Sequence, residues 1–188
     1  NANTGNDVIT AGCVCVGTVA NDECNSAGYL GAAQPYGGCS ITQGNTSGAG
    51  PTGSVSCGGT TAKDVWYQFY TNYTSHAYID LVAGTATGMG IEVIQSGCGG
   101  SAVYCATGLS HVVPVAPGQW HYVRVFSTTP GTFSICVSEP PINDDCANAS
   151  SIGLNLFGDC PTNATAGTTV GATLTGTPGC NNTAVDVW

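Results

Sequence analysis

The sequence predicts an all-β fold built of disulfide-stapled β-sandwich modules, jelly-roll or Ig-like, in tandem. Three observations lead there. Short stretches alternate apolar and polar residues between Gly and Pro turn signals, and no window of the long central region holds a helical period. Eleven cysteines stand among 188 residues. Landmarks also return at one spacing, near 122 positions, which marks an internal repeat.

Residues 1–20, "NANTGNDVITAGCVCVGTVA", read as the tail of a preceding small module or a linker. Residues 21–140 read as one complete β-sandwich module, opening on "NDEC". Residues 25–63 are rich in Gly, Ser, Thr and Ala, with short strands at most. In "DVWYQFYT", Val65, Tyr67 and Phe69 alternate with Trp66, Gln68 and Tyr70. "HAYIDLVA" sets Ala77, Ile79 and Leu81 on one face. "GIEVIQS", "LSHVVPV", "QWHYVRVFS" and "GTFSICVS" follow, broken at Ala116-Pro117-Gly118 and Thr129-Pro130-Gly131. In "QWHYVRVFS", Val123 and Val125 share one face and Trp120, Tyr122 and Phe126 the other. A strand apolar on both faces belongs at the centre of a sheet. The "SEPPI" stretch at 138–142 is a stiff linker, so short that the modules it joins should touch. Residues 141–188 read as the first third of a second copy of the module.

The repeat rests on four landmarks. Asp64 and Asp186 are 122 apart, as are "NDEC" at 21–24 and "NDDC" at 143–146. Cys39 and Cys160 differ by 121, and Cys57 and Cys180 by 123. From this spacing four disulfides are expected: Cys24–Cys39, Cys57–Cys136, Cys98–Cys105 and Cys146–Cys160. Cys13, Cys15 and Cys180 remain unpaired within the 188 residues. Cys13 and Cys15 stand too close to bridge each other without strain. A third of a domain closes no core. The chain is therefore expected to continue past Trp188, or a neighbouring subunit to complete the second copy by strand addition.

Composition excludes several partners. Lys63 and Arg124 are the only bases against eleven acids, for a net charge of −9. Phosphate binding needs a basic face, so nucleic acid is not an expected partner. Anionic membranes are excluded on the same ground, and no apolar run approaches the ~18 residues of a membrane span. Only 7% of residues are charged, against roughly 25% in ordinary soluble proteins. Thr, Ser, Asn and Gly must cover the surface instead, a composition suited to a durable exposed protein. Cysteines at repeated spacing indicate an oxidising, extracellular setting. Without a C-x-x-C pair or a Cys/His cluster, thiol zinc sites are not expected.

No catalytic motif is present, neither G-x-S-x-G, H-E-x-x-H nor a phosphate-binding loop. His76, His111 and His121 read as ordinary strand residues. Asp80 and Glu92 are candidates for a carboxylate pair in glycoside chemistry, against the favoured reading as isolated, solvated acids. The chain is not expected to be an enzyme or to need a cofactor. The better site candidate is Asn143-Asp144-Asp145 with its repeat Asn21-Asp22-Glu23. Hard oxygen ligands at a module junction suit Ca²⁺; the same residues also cap turns, and that reading is favoured. Asp64 and Asp186 precede the Trp strand, where a carboxylate pairs with Lys63, caps a turn or holds a metal. Trp66 and Trp120 are candidates for stacking on sugar rings, against the commoner role of core aromatics. Asn45, Asn72, Asn148, Asn163 and Asn181 each head an Asn-x-Ser/Thr sequon and are candidate glycosylation sites.

At "NDDCANAS", "DVWYQF", "VIQSGCGG", "YVRVFS" and "GTFSICV" the sequence resembles the repeated β-sandwich modules of large secreted proteins of Bacteroidota. The motifs fall on Asn143–Ala149, Asp64–Phe69, Ser96–Gly99 and Tyr122–Val125. In "NDECNSAG", Ser26 and Gly28 depart from the family's small-residue pattern. Residues 3–18 resemble the end of a second module type, whose opening Cys-Asp-Asp-Gly-Asn motif this chain lacks. The resemblance implies export by the type IX system and a place at the cell surface or in the medium. It implies a structural segment of a long extracellular filament or adhesin, with neighbouring modules of the same polymer as partners. The alternative is a carbohydrate-binding accessory region of a secreted hydrolase, with surface glycans as ligands.

Overall fold

The alternating stretches form strands whose apolar sides meet between two sheets. The computed structural model describes residues 4–9, 15–50, 53–57, 63–153, 164–174 and 187. β1 (Thr4–Ile9) and β2 (Cys15–Val19) make an antiparallel pair of their own. One five-stranded sheet runs in the order β3 (Gly28–Ala32), β6 (Lys63–Tyr70), β11 (Trp120–Thr129), β8 (Thr87–Gln95), β9 (Ala102–Thr107). The other runs β10 (Ser110–Pro114), β7 (His76–Ala83), β12 (Thr132–Glu139), β4 (Gln34–Pro35). In that sheet β5 (Thr42–Asn45) shares an edge of β12 with β4. Single 3₁₀ turns stand at Cys24–Ser26 and Cys146–Asn148. The all-β, disulfide-stapled sandwich is as expected.

Period-2 alternation settles which side chains face inward. Val65 and Phe69 of β6, Ala77 and Ile79 of β7, Ile91 and Val93 of β8, Val123 and Val125 of β11 and Ile135 of β12 are fully buried. They form one cluster between the sheets. Burying each large member contributes about 1.5–3 kcal/mol over leaving it exposed. The strand apolar on both faces, β11, lies at the centre of its sheet, between β6 and β8. The turn that carries the chain from β11 across to β12 in the other sheet is held by Thr46. The Gly131 amide donates to Thr46 Oγ1 at 3.0 Å, and Thr46 N donates to the Gly131 carbonyl at 2.9 Å. A Cβ at Gly131 would fall 2.3 Å from the Ala86 nitrogen, so only glycine fits this turn.

The disulfides differ from those expected. Cys24 bonds Cys98, Cys39 bonds Cys136 and Cys57 bonds Cys105. The expected Cys24–Cys39, Cys57–Cys136 and Cys98–Cys105 pairs do not form. The reason is strand order. Between Cys24 and Cys39 the chain leaves the β3 edge of one sheet and joins the β12 side of the other. Cys98 and Cys105 are close in sequence, but Cys98 sits in the β8–β9 turn while Cys105 lies along β9 opposite Glu92. A strand advances about 3.3 Å per residue, which carries the two apart. Cys146 is exposed and free, and Cys160, its expected partner, lies outside the described residues. So do Cys13 and Cys180, and of Cys15 only the backbone, on β2, is described.

Candidate functional site

The outer face of the sheet centred on β11 carries the residues that alternate with the core: Trp66, Gln68 and Tyr70 of β6, and Trp120, Tyr122, Arg124 and Phe126 of β11. Loops cover its middle and one end. The Cys24–Cys98 bridge packs on Trp66 and Ile94, and Val55 packs on Phe126 beside Cys105. The other end is open.

At the open end Trp120 is 41% exposed. Its ring meets Tyr29 at 5.5 Å and Tyr70 at 5.3 Å between centroids, tilted 44° and 59°. Beside it an open groove of about 480 Å³ is lined by Gln68, Ser96, Gly97, Gln119, Trp120 and Tyr122 among others, none of them charged. Gln95 Nε2 donates to Gln119 Oε1 at 3.2 Å, which holds both amides at the rim. The surface thus combines aromatic faces with neutral donors and acceptors.

Trp66 is not part of that platform. It is 4% exposed, and the Arg124 guanidinium carbon stands 5.5 Å from its ring centroid. The ring is walled in by the covering loop, which sequence alternation does not reveal. Arg124 is the hub beneath the loop. Its Nε donates to Asp64 Oδ2 at 2.8 Å and its NH1 to Glu92 Oε2 at 3.3 Å. It also donates to the carbonyls of Ser54 at 3.2 Å and Gly53 at 2.9 Å. Glu92 in turn accepts from Ser56 N at 2.8 Å. Asp64 therefore pairs with Arg124 rather than Lys63. Glu92 is buried and paired, not solvated. Asp80, hydrogen-bonded to Ser110 on the outer face of the other sheet, cannot work with it. Only the rarity of arginine in this sequence hinted at the hub.

The histidines lie apart from one another. His121 is buried between Thr71, 3.2 Å away, and the Ala116 carbonyl at 3.1 Å. His111 contacts Tyr104 and the Gly108 carbonyl. Burial pushes both imidazoles below their ordinary range. His76 is bonded to its neighbour Ser75.

The opening motifs bond to the backbone of neighbouring segments. Asn21 Nδ2 donates to the Trp66 carbonyl at 2.9 Å, and Trp66 N donates to the Asn21 carbonyl at 2.8 Å. Asp22 accepts from Gly50 N at 2.6 Å, and Asp144 from Thr173 N at 2.6 Å. Asp145 accepts from Ser75 N and Oγ, while Glu23 is exposed. Among the described residues no group of three or more His, Cys, Asp or Glu is placed to hold a metal. Of the sequons, the Asn72 side chain is engaged with Glu139 and the Ala33 carbonyl, and Asn148 with the Tyr73 carbonyl. Asn45 accepts from Ser47 N in a local turn. Asn163 and Asn181 lie outside the described residues. Among the described residues no helix is long and apolar enough to cross a membrane.

Two stacked sheets and loops anchored by disulfides define a disulfide-stapled β-sandwich module. A family described as galactose binding domain-like, and designated T9SS-associated, matches residues 20–135, more than half of the chain. The chain belongs to that family. The family and the disulfides together fit a secreted protein and a non-catalytic module. Among solved structures it is similar to the pre-peptidase C-terminal domain of a collagenase from Bacillus anthracis, at 14% identity and a TM-score of 0.41. That similarity covers 60% of this chain and 94% of the other, and is too low to bear on function. No curated protein matches the chain.

Proposed function

We propose that this chain is a non-catalytic glycan-binding module of a secreted accessory region, working at or outside the cell surface. The observation that carries the reading is the exposed Trp120, flanked by Tyr29 and Tyr70 within ring contact. An aromatic face takes the C–H face of a sugar ring, and the Gln68, Gln95 and Gln119 amides suit its hydroxyls. The uncharged groove favours a neutral saccharide. Because the rings are tilted rather than coplanar, the platform suits one or two residues of a chain more than a flat crystalline surface. The test is titration of neutral oligosaccharides followed by calorimetry and a glycan array. Binding should be lost in Trp120→Ala while the variant still unfolds cooperatively, at a midpoint lowered only by the lost contacts with Tyr29 and Tyr70. Failure of the folded protein to bind any neutral glycan would overturn the reading, as would binding indifferent to Trp120→Ala.

A second reading is a structural segment of a long extracellular filament or adhesin, with neighbouring modules as its partners. It is favoured by the contacts Asp145 and Asn148 make with the loop before β7. In material from the native source, a denaturing gel under reducing conditions should then show a species much larger than 18.8 kDa.

A further inference from the structure

We propose that the Asn143–Asn148 opening is a two-sided connector. Asp144 folds its own repeat, while Asp145 and Asn148 lock that repeat onto the module before it. The joint is stiff for this reason, whether or not the aromatic face binds a sugar.

The first half of the argument is a local geometry that occurs twice. Asp22 accepts from Gly50 N at 2.6 Å, and Asp144 accepts from Thr173 N at 2.6 Å. The residue two before each donor is a glycine in the left-handed region, Gly48 at φ 88° and Gly171 at φ 76°. The residue between is a buried alanine, Ala49 or Ala172, whose amide closes a turn on the Thr46 or Thr169 carbonyl. Both openings continue into a single 3₁₀ turn, Cys24–Ser26 and Cys146–Asn148. The first acid of the motif thus ties down a turn about 28 residues further along the same repeat in both places.

The next positions diverge. In the first copy Ser26 Oγ turns back to the Glu23 carbonyl. In the second, Asp145 accepts from Ser75 N at 3.1 Å and from Ser75 Oγ at 3.0 Å, and Asn148 Nδ2 donates to the Tyr73 carbonyl at 2.9 Å. The loop they grip is itself held. Asn72 N donates to Glu139 Oε1 at 2.6 Å, and Thr71 Oγ1 to the Ala116 carbonyl at 2.7 Å. Glu139 and Asp145 lie on either side of Pro140 and Pro141, so both flanks of the stiff linker clasp residues 72–75. A second contact lies on the other side of Asp144. Gly171 sits so close to Tyr36 that a Cβ would fall 2.2 Å from the ring carbon Cγ, and Tyr36 stacks edge-on against Tyr78 at 4.7 Å. Two separate contacts leave little freedom to rotate about the linker.

Amide hydrogen exchange on the 188-residue chain separates the two roles. Asp145→Ala is expected to quicken exchange of the Ser75 amide about tenfold or more, the scale of one lost hydrogen bond to a charged acceptor. The Thr173 amide should stay protected. Asp144→Ala should do the reverse. Equal Ser75 protection in Asp145→Ala and the parent chain overturns the proposal, as does release of both amides by either variant. Should Asp145→Ala fail to fold, Ser75→Ala removes the hydroxyl from the opposite side of the joint. Residues 143–149 should then show larger-amplitude motion in ¹⁵N relaxation than in the parent chain, and unchanged relaxation overturns the proposal equally.

Discussion

Replacing Arg124 by methionine tests whether the buried charge hub holds the covering loop to the sheet. Arg124 is 2% exposed, Asp64 fully buried and Glu92 6% exposed. The substitution removes ion pairs of 2.8 and 3.3 Å and leaves two buried carboxylates without their cation, Glu92 keeping its bond from Ser56 N. It also frees the Gly53 and Ser54 carbonyls. Breaking a buried pair by removing one partner costs about 3–5 kcal/mol, because the remaining charge is desolvated without compensation. Against a total stability of about 5–15 kcal/mol for a domain, that is a large fraction. Urea unfolding followed by tryptophan fluorescence reads it directly. With m near 2 kcal/mol/M, the midpoint should fall by about 1.5–2.5 M. The double variant Asp64→Leu with Arg124→Met should lose less stability than the two single losses added together, because one of the two carboxylates left without a cation is gone. A single-variant loss below about 1 kcal/mol, or strict additivity of the pair, would refute the reasoning.

The remaining predictions concern cross-links and pH. Non-reducing peptide mapping should recover Cys24–Cys98, Cys39–Cys136 and Cys57–Cys105. Cys39→Ser with Cys136→Ser, which opens a 97-residue separation, should cost about 3–5 kcal/mol in thermal unfolding; a loss too small to detect would count against it. His111 and His121 are buried, and their folded-state pKa values lie below the ordinary 6.5. The unfolded chain therefore takes up protons first as pH falls. The stability these groups contribute is complete above about pH 6.5 and declines below it. His121→Asn should flatten the slope of unfolding free energy between pH 7 and 5, and an unchanged slope would contradict the assignment.

Much of the framework is legible in the order of residues. Alternation is a property of the strand itself, so Val65, Tyr67 and Phe69 could be set against Trp66, Gln68 and Tyr70 from the sequence. A strand apolar on both sides pointed to the middle of a sheet, where β11 lies. Turns were marked by Pro117-Gly118 and Pro130-Gly131, where Gly118 takes a positive φ of 68° and Gly131 leaves no room for a Cβ beside Ala86. The tertiary structure decided what depends on which strands become neighbours. Sheet order β3-β6-β11-β8-β9 is not chain order, so it joined Cys24 to Cys98 and Cys39 to Cys136 where proximity in sequence suggested other pairs. It likewise brought Tyr29 from β3 and Tyr70 from β6 around Trp120 of β11. Alternation assigns Trp66 and Trp120 to the same outer face. Only the loops bonded through Cys24 and Arg124 bury the first and leave the second open, because cover comes from segments distant in the chain.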